Sequence, residues 1–265
     1  MAAEVKALSF GRIVVIALVL GQVWPATAAD AAPVVVPCEV GERAGPADDP
    51  TVRFGRDDER AWLSADRGGF RVRKFTAPGG ASVIELTHRN DTVVIQVASG
   101  STGVIRNRRS IVIDSAESFE AAQEVLGGSS ALFHARALLS DLEGRSALKA
   151  VDMSLLSALA FAASLTGDLG APLRLTDRFM QRHRGVYRQV RLLGAEEDRT
   201  CWSAYSSEVN DAWNDLQDCM EASGDGIMGS LRRLACNAEW LLRSESAWFE
   251  YLKCLSPLAA VARLD

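Results

Sequence analysis

Two periodicities divide the chain. Between residues 51 and 115 apolar and polar positions alternate, which is the period of a half-buried strand. Phe70-Arg71-Val72-Arg73-Lys74-Phe75 sets apolar against basic residues, Pro78-Gly79-Gly80 turns the chain, and Val83-Ile84-Glu85-Leu86-Thr87 returns it. Arg89-Asn90-Asp91 is the next turn, Thr92 to Val97 the next strand, and Gly100 to Gly103 the turn after that. Val104-Ile105, a tight turn at Arg106-Asn107-Arg108 and Ile111-Val112-Ile113 complete the run. Short successive strands joined by short turns predict an antiparallel meander.

After Asp114 the pattern becomes helical. Asp114 or Ser115 can cap a helix running through Phe119, Ala122 and Val125 to a stop at Gly127-Gly128. Ser129 or Ser130 can cap a second, with Leu132, Ala135, Leu138, Leu139 and Leu142 on one face. A third, from about Asp152, is apolar nearly all round, as a buried central helix would be. Its flanking Asp152 and Asp168 leave too short a run to span a membrane. Pro172 interrupts, and a more polar helix is expected from about Asp177 to Leu192.

The last quarter carries four cysteines, Cys201, Cys219, Cys236 and Cys254, in two pairs each separated by eighteen residues. Eighteen residues are five helical turns, about 27 Å of axis. A disulfide tolerates at most about 7 Å between Cα atoms, so no bridge can form within one helix. Two antiparallel helices would pair Cys201 with Cys254 and Cys219 with Cys236. The rival pairing, Cys201 with Cys236 and Cys219 with Cys254, needs parallel helices and a long return connection; short connections favour the antiparallel form.

The stretch also repeats itself at an offset of 35, taking Cys201 to Cys236, Tyr205 to Trp240, Ala212 to Ala247, Trp213 to Trp248, Leu216 to Tyr251 and Cys219 to Cys254. The facing stripes, Cys201-Tyr205-Val209-Ala212-Leu216-Cys219 and Cys236-Trp240-Ser244-Ala247-Tyr251-Cys254, follow the spacing of an amphipathic seam. Trp213 and Trp248 lie about 120° from the cysteine stripe. They either pack on the helical body or form an aromatic patch for a partner.

Composition narrows the setting. A chain of 265 residues with 48% hydrophobic content can bury a sizeable core, and a formal net charge of −5 gives no reason to expect nucleic-acid binding. Lys6 and Arg12 precede the apolar run Ile13 to Leu20, and Ala26-Thr27-Ala28 follows it as an A-x-A cleavage pattern. We read a signal peptide cut near Ala28, export to the periplasm or beyond, and no transmembrane helix in the mature chain. Export suits the disulfides, which persist in oxidising compartments. Cys38 is left over, a free thiol or a bridge to a partner chain.

Local chemistry is sparse. His88, His134 and His183 show no metal-ligand spacing, no nucleotide-binding or nucleophile-elbow motif is present, and no cofactor or metal is expected. Arg106, Arg108 and Arg109 form the compact basic cluster, with Arg71, Arg73 and Lys74 as neighbours on the sheet. It reads as a solvated turn or as a surface for an anionic envelope polymer or lipid headgroup. Glu208, Asp211, Asp215, Asp218 and Glu221 supply an acidic counterpart that could dock on it.

The four-cysteine stretch resembles the disulfide-stapled helical hairpins of small secreted inhibitors and toxins. Their cysteines lie closer together, so no site residue carries over. Leu126-Gly127-Gly128-Ser129 is similar to the double-glycine processing site of exported bacteriocin leaders, but it lies mid-chain and reads as a helix stop.

The expected protein is α+β: a signal peptide over 1–28, a flexible leader over 29–50 in which Val34-Val35-Val36 can add an edge strand, an antiparallel β-meander over 51–115, a helical region over 116–195 packed on the sheet, and a disulfide-stapled antiparallel helical hairpin over 196–265. The expected role is non-enzymatic recognition of a protein or cell-envelope partner, with Trp213, Trp248, Arg106, Arg108 and Arg109 as the candidate partner surface. The alternatives are a secreted bacteriocin- or inhibitor-like antagonist with the hairpin as its active part, and an exported hydrolase with a site assembled from distant residues.

Overall fold

A computed structural model describes residues 39–43, 50–56, 59–143, 150–190 and 196–261. The stretch expected to be a signal peptide, Val34 to Val36 and Cys38 lie outside them.

Among the described residues eight strands form one antiparallel sheet in sequence order: β1 Glu39–Arg43, β2 Thr51–Arg56, β3 Ala61–Arg67, β4 Phe70–Thr76, β5 Ser82–His88, β6 Asp91–Ala98, β7 Ser101–Arg106 and β8 Arg109–Ile113. The meander is as expected, with one addition. β1 comes from the segment read as a flexible leader and pairs with β2, placing Glu42 opposite Arg53. Each turn carries its own chemistry. The two-residue β7–β8 connection, Asn107 and Arg108, has φ of 51° and 65°, the positive values that match a tight hairpin to the twist of its strands.

Strand alternation sorts the sheet into two faces. The register runs Phe54, Leu63, Lys74, Ile84, Ile95, Val104 and Ile111 across seven strands on one face. It runs Arg53, Ser64, Arg73, Glu85, Val94, Ile105 and Ser110 across the other. The first row belongs to the core; the second is half-exposed or exposed. One lysine therefore stands in the middle of an apolar row.

Among the described residues six helices follow: α1 Ala116–Leu126, α2 Ser130–Glu143, α3 Ala150–Leu165, α4 Ala171–Val190, α5 Glu196–Ala222 and α6 Gly226–Val261. Ser115 caps α1 in a capping box with Ser118, and Gly127 ends it. α4 starts before the expected Asp177, because Pro172 falls in its first turn, where a missing N–H costs nothing. α1, α2 and α6 pack on the inner face of the sheet, while α3 touches α2, α4 and α6. All sixteen residues of α3 are buried, which accounts for its apolar circumference. Among the described residues no helix is long and apolar enough to cross a membrane.

Three long-range contacts help to set the helices on the sheet. Asp91, at the β5–β6 turn, accepts hydrogen bonds from Ser129 Oγ at 2.7 Å and from the Ala131 N–H at 3.1 Å, so it caps the start of α2 from across the molecule. Arg106 Nε donates to the other oxygen of Asp91 at 2.8 Å, and the same guanidinium donates to the carbonyls of Val125 and Gly127 at the end of α1. Gly80, with φ of 87°, brings the β4–β5 turn onto α6: a Cβ there would fall on the carbonyl of Leu242. Only glycine permits that approach.

Candidate recognition surface

α5 and α6 form the expected antiparallel hairpin. Cys201 bonds to Cys254 and Cys219 to Cys236, with Cα separations of 5.7 and 5.9 Å. Helical geometry alone is enough to explain the pairing: cysteines five turns apart on one stripe meet their counterparts on the facing stripe. In each bridge one sulfur-bearing residue is buried (Cys201, Cys236) and the other exposed (Cys254, Cys219).

The base of the hairpin is welded to the body by aromatic side chains. Phe54 of β2 meets Trp248 edge-on at 5.8 Å; Trp248 leads to Tyr251, Tyr251 to Tyr205 and Trp202, and Trp202 to Phe179 of α4. Trp248 is 1% exposed, so it belongs to the interior and not to a partner surface. Trp213 is half-buried on α5 with its indole N–H enclosed.

Beneath the hairpin lies a buried ion pair. Lys74 Nζ donates to Glu245 Oε2 at 2.5 Å, both side chains at most 1% exposed. The same ammonium donates to the carbonyl of Ser154 on α3 at 2.9 Å and to the Ser154 hydroxyl. Thr76 Oγ1 donates to the same Glu245 oxygen at 3.0 Å. Burial pushes the Lys74 ammonium below its ordinary range, and the Glu245 carboxylate pulls it part of the way back. Tyr205 is held well above the usual phenol value by burial, then by Glu245, Tyr251 and Asp152. Strand, central helix and hairpin are thus tied at a single point.

The basic cluster expected from the sequence is divided by the same strand alternation. Lys74 faces inward, whereas Arg71 and Arg73 face outward, Arg71 bonded to Asp66 at 2.6 Å and Arg73 opposite Glu85. Arg106 is taken up by Asp91 and α1; Arg108 and Arg109 remain exposed at the β7–β8 turn. The acidic residues Glu208, Asp211, Asp215, Asp218 and Glu221 form one exposed stripe on α5, with Asp215 bonded to Arg243 of α6. The expected docking of acidic on basic surface is not seen, since Arg108, Arg109 and this stripe all face solvent.

What sequence reasoning overlooked is the tip. The connection between α5 and α6 runs through Gly224 and Gly226, both at positive φ, and a Cβ on Gly229 would strike the Gly224 carbonyl. Ile227 and Met228 follow at the start of α6, 53% and 57% exposed. The Cys219–Cys236 bridge closes the hairpin just below them. The available signal was Gly-Ile-Met-Gly: two large apolar residues between glycines, at a turn where polar residues are usual.

His88 stands opposite Asp91 in the β5–β6 register, but among the described residues no hydrogen bond joins it or His134 to an acid or a hydroxyl. His88 meets His134 with ring centroids 3.9 Å apart and planes tilted by 43°, beside Phe70 and the exposed Phe133. Ser129 and Asp91 are hydrogen-bonded, but among the described residues no hydrogen bond joins either to an imidazole. The side chain of His183 lies outside the description. No group of three metal-ligating side chains occurs among the described residues. Comparison with protein-family models, with curated proteins and with solved structures finds no match to this chain.

Proposed function

We propose that this is an exported, non-enzymatic binding protein and that the free end of its stapled hairpin is the recognition surface. The observation that carries the reading is the exposed Ile227–Met228 pair, held on a glycine turn above the Cys219–Cys236 bridge. Exposed apolar side chains on a rigid support lose little conformational entropy on binding, which favours affinity. The acidic stripe leading to the tip, from Glu208 to Glu221, suits a protein partner of the cell envelope with an apolar depression rimmed by basic residues. The A-x-A pattern at Ala26 to Ala28 and the two disulfides support export.

The antagonist reading, in which the hairpin is released and acts alone, is less well supported. α6 buries Trp240, Glu245 and Trp248 against the body, and release would strip the carboxylate of its lysine. The hairpin is built to act in place.

The test is site-specific photo-crosslinking in the native host, with the probe replacing Met228 or, as a control, the exposed Glu250. A discrete adduct from position 228 alone, removed by Ile227→Ser, is the expected result. No adduct, or the same adduct from both positions, would discard the tip as a recognition surface.

A further inference from the structure

Among the described residues β8 is the last strand of the sheet and bonds only to β7. The β7–β8 turn has two residues, and Arg106 stands opposite Arg109. In such a hairpin the flanking pair is hydrogen-bonded, so Arg109, Ile111 and Ile113 turn their backbone groups toward Arg106, Val104 and Thr102. Ser110 and Val112 therefore aim their N–H and C=O groups at the open edge. Both residues are exposed, Val112 by 56%, whereas Val94 and Ile105, on the same outer face of interior strands, are only half-exposed. The edge carries no proline, one of the usual protections, and the charge on its inner face, Arg109, stands exposed beside the turn.

We propose that β8 pairs antiparallel with β8 of a second copy about a two-fold axis through Ile111. In that register Ser110 lies opposite Val112 of the other copy, and Val112 opposite its Ser110. Both are hydrogen-bonding pairs, so four backbone bonds form around a central Ile111–Ile111 contact. The pairing keeps the outer faces of the two sheets on one side, as alternation requires. It also brings opposite charges together. Arg108 of one copy stands opposite Asp114 of the other, with Arg109 near that copy's Glu117 in the first turn of α1, and all four side chains are exposed in the single chain. The second copy is favoured over an unrelated peptide because its strand supplies both the register and the charge complement. The contact is short, so association is expected only at high protein concentration.

The experiment is sedimentation equilibrium of the purified, oxidised protein over a concentration series, with backbone amide exchange read at Ser110 and Val112 by NMR. The expected result is a reversible monomer–dimer equilibrium in which these two amides become protected as the dimer fills. Val112→Lys, and separately the double variant R108E/R109E, should weaken the dimer at least tenfold without lowering the melting temperature. A wild type that stays monomeric at millimolar concentration would overturn the proposal. So would a dimer whose Ser110 and Val112 amides remain unprotected, or one that Val112→Lys leaves intact. If the two amides gain protection only when an extended peptide from another protein is added, the edge serves that peptide and not a second copy.

Discussion

Lys74 and Glu245 stand 171 residues apart in the chain and 2.5 Å apart in the fold, both sealed from solvent. A buried ion pair adds little net stability, because desolvating two charges offsets most of their attraction, but losing one partner strands the other. Lys74→Met or Glu245→Leu alone is expected to destabilise the protein by about 3–5 kcal/mol. The double variant should recover most of that loss. Urea unfolding of the four proteins forms the cycle. A double variant no better than the worse single would show that the charges are not coupled as the geometry indicates.

The two bridges are expected to differ in weight. Cys219–Cys236 spans 17 positions and Cys201–Cys254 spans 53, so by chain entropy they constrain the unfolded state by about 3 and about 4 kcal/mol. Replacing each pair with serine and measuring thermal unfolding checks the order. Wild type should melt at a clearly lower temperature when reduced; identical melting with and without reductant would end the idea that the bridges are staples.

Asp91 links stability to acid. Burial pushes its carboxyl up, but hydrogen bonds from Ser129, Arg106 and the Ala131 N–H outweigh it and hold the pKa at about 2, below the ordinary 3.8. A depressed carboxyl contributes its full stability above the unfolded-state value and loses it as pH falls toward the folded one. With allowance for partial exposure that is about 1–2 kcal/mol, lost between roughly pH 4 and pH 2. Asp91→Ala should remove this acid-sensitive step and lower stability at neutral pH by about 2 kcal/mol through the lost cap. His88 works in a separate window: burial, His134 and Arg89 lower its pKa against the pull of Asp91, so its contribution is lost as pH falls below about 6.5. Urea midpoints across pH 2 to 8 separate the two.

How much of this was legible in the sequence depends on the range of each interaction. The cysteine pairing was, because a helix fixes the angle and rise between residues eighteen apart. The meander was, because period-two alternation and Gly- or Asn-bearing turns are local. Lys74 was misread: the same alternation that puts Phe70 and Val72 inward puts Lys74 inward too, yet it was grouped with Arg71 and Arg73 by charge. Glu245 was also a visible anomaly, a carboxylate between the apolar runs Trp240-Leu241-Leu242 and Ala247-Trp248-Phe249. That these two anomalies answer each other is a fact of tertiary structure. So is the cap Asp91 makes on a helix that already had a serine at its start. Trp248 escaped for a similar reason, since its partner Phe54 lies in a strand that pattern reading had not placed.

The placement of Glu245 also governs when the fold can finish. Until α6 has been synthesised, the strand bearing Lys74 lacks the carboxylate that neutralises its ammonium in the fold, and the inner face of the sheet lacks the cover that α6 supplies. Closure through so distant a contact is slow, because a long loop must be ordered before the contact rewards it. A chain arranged in this way stays unfinished at least until Glu245 has been made. That is the condition a polypeptide must keep if it is to be threaded across a membrane before it folds.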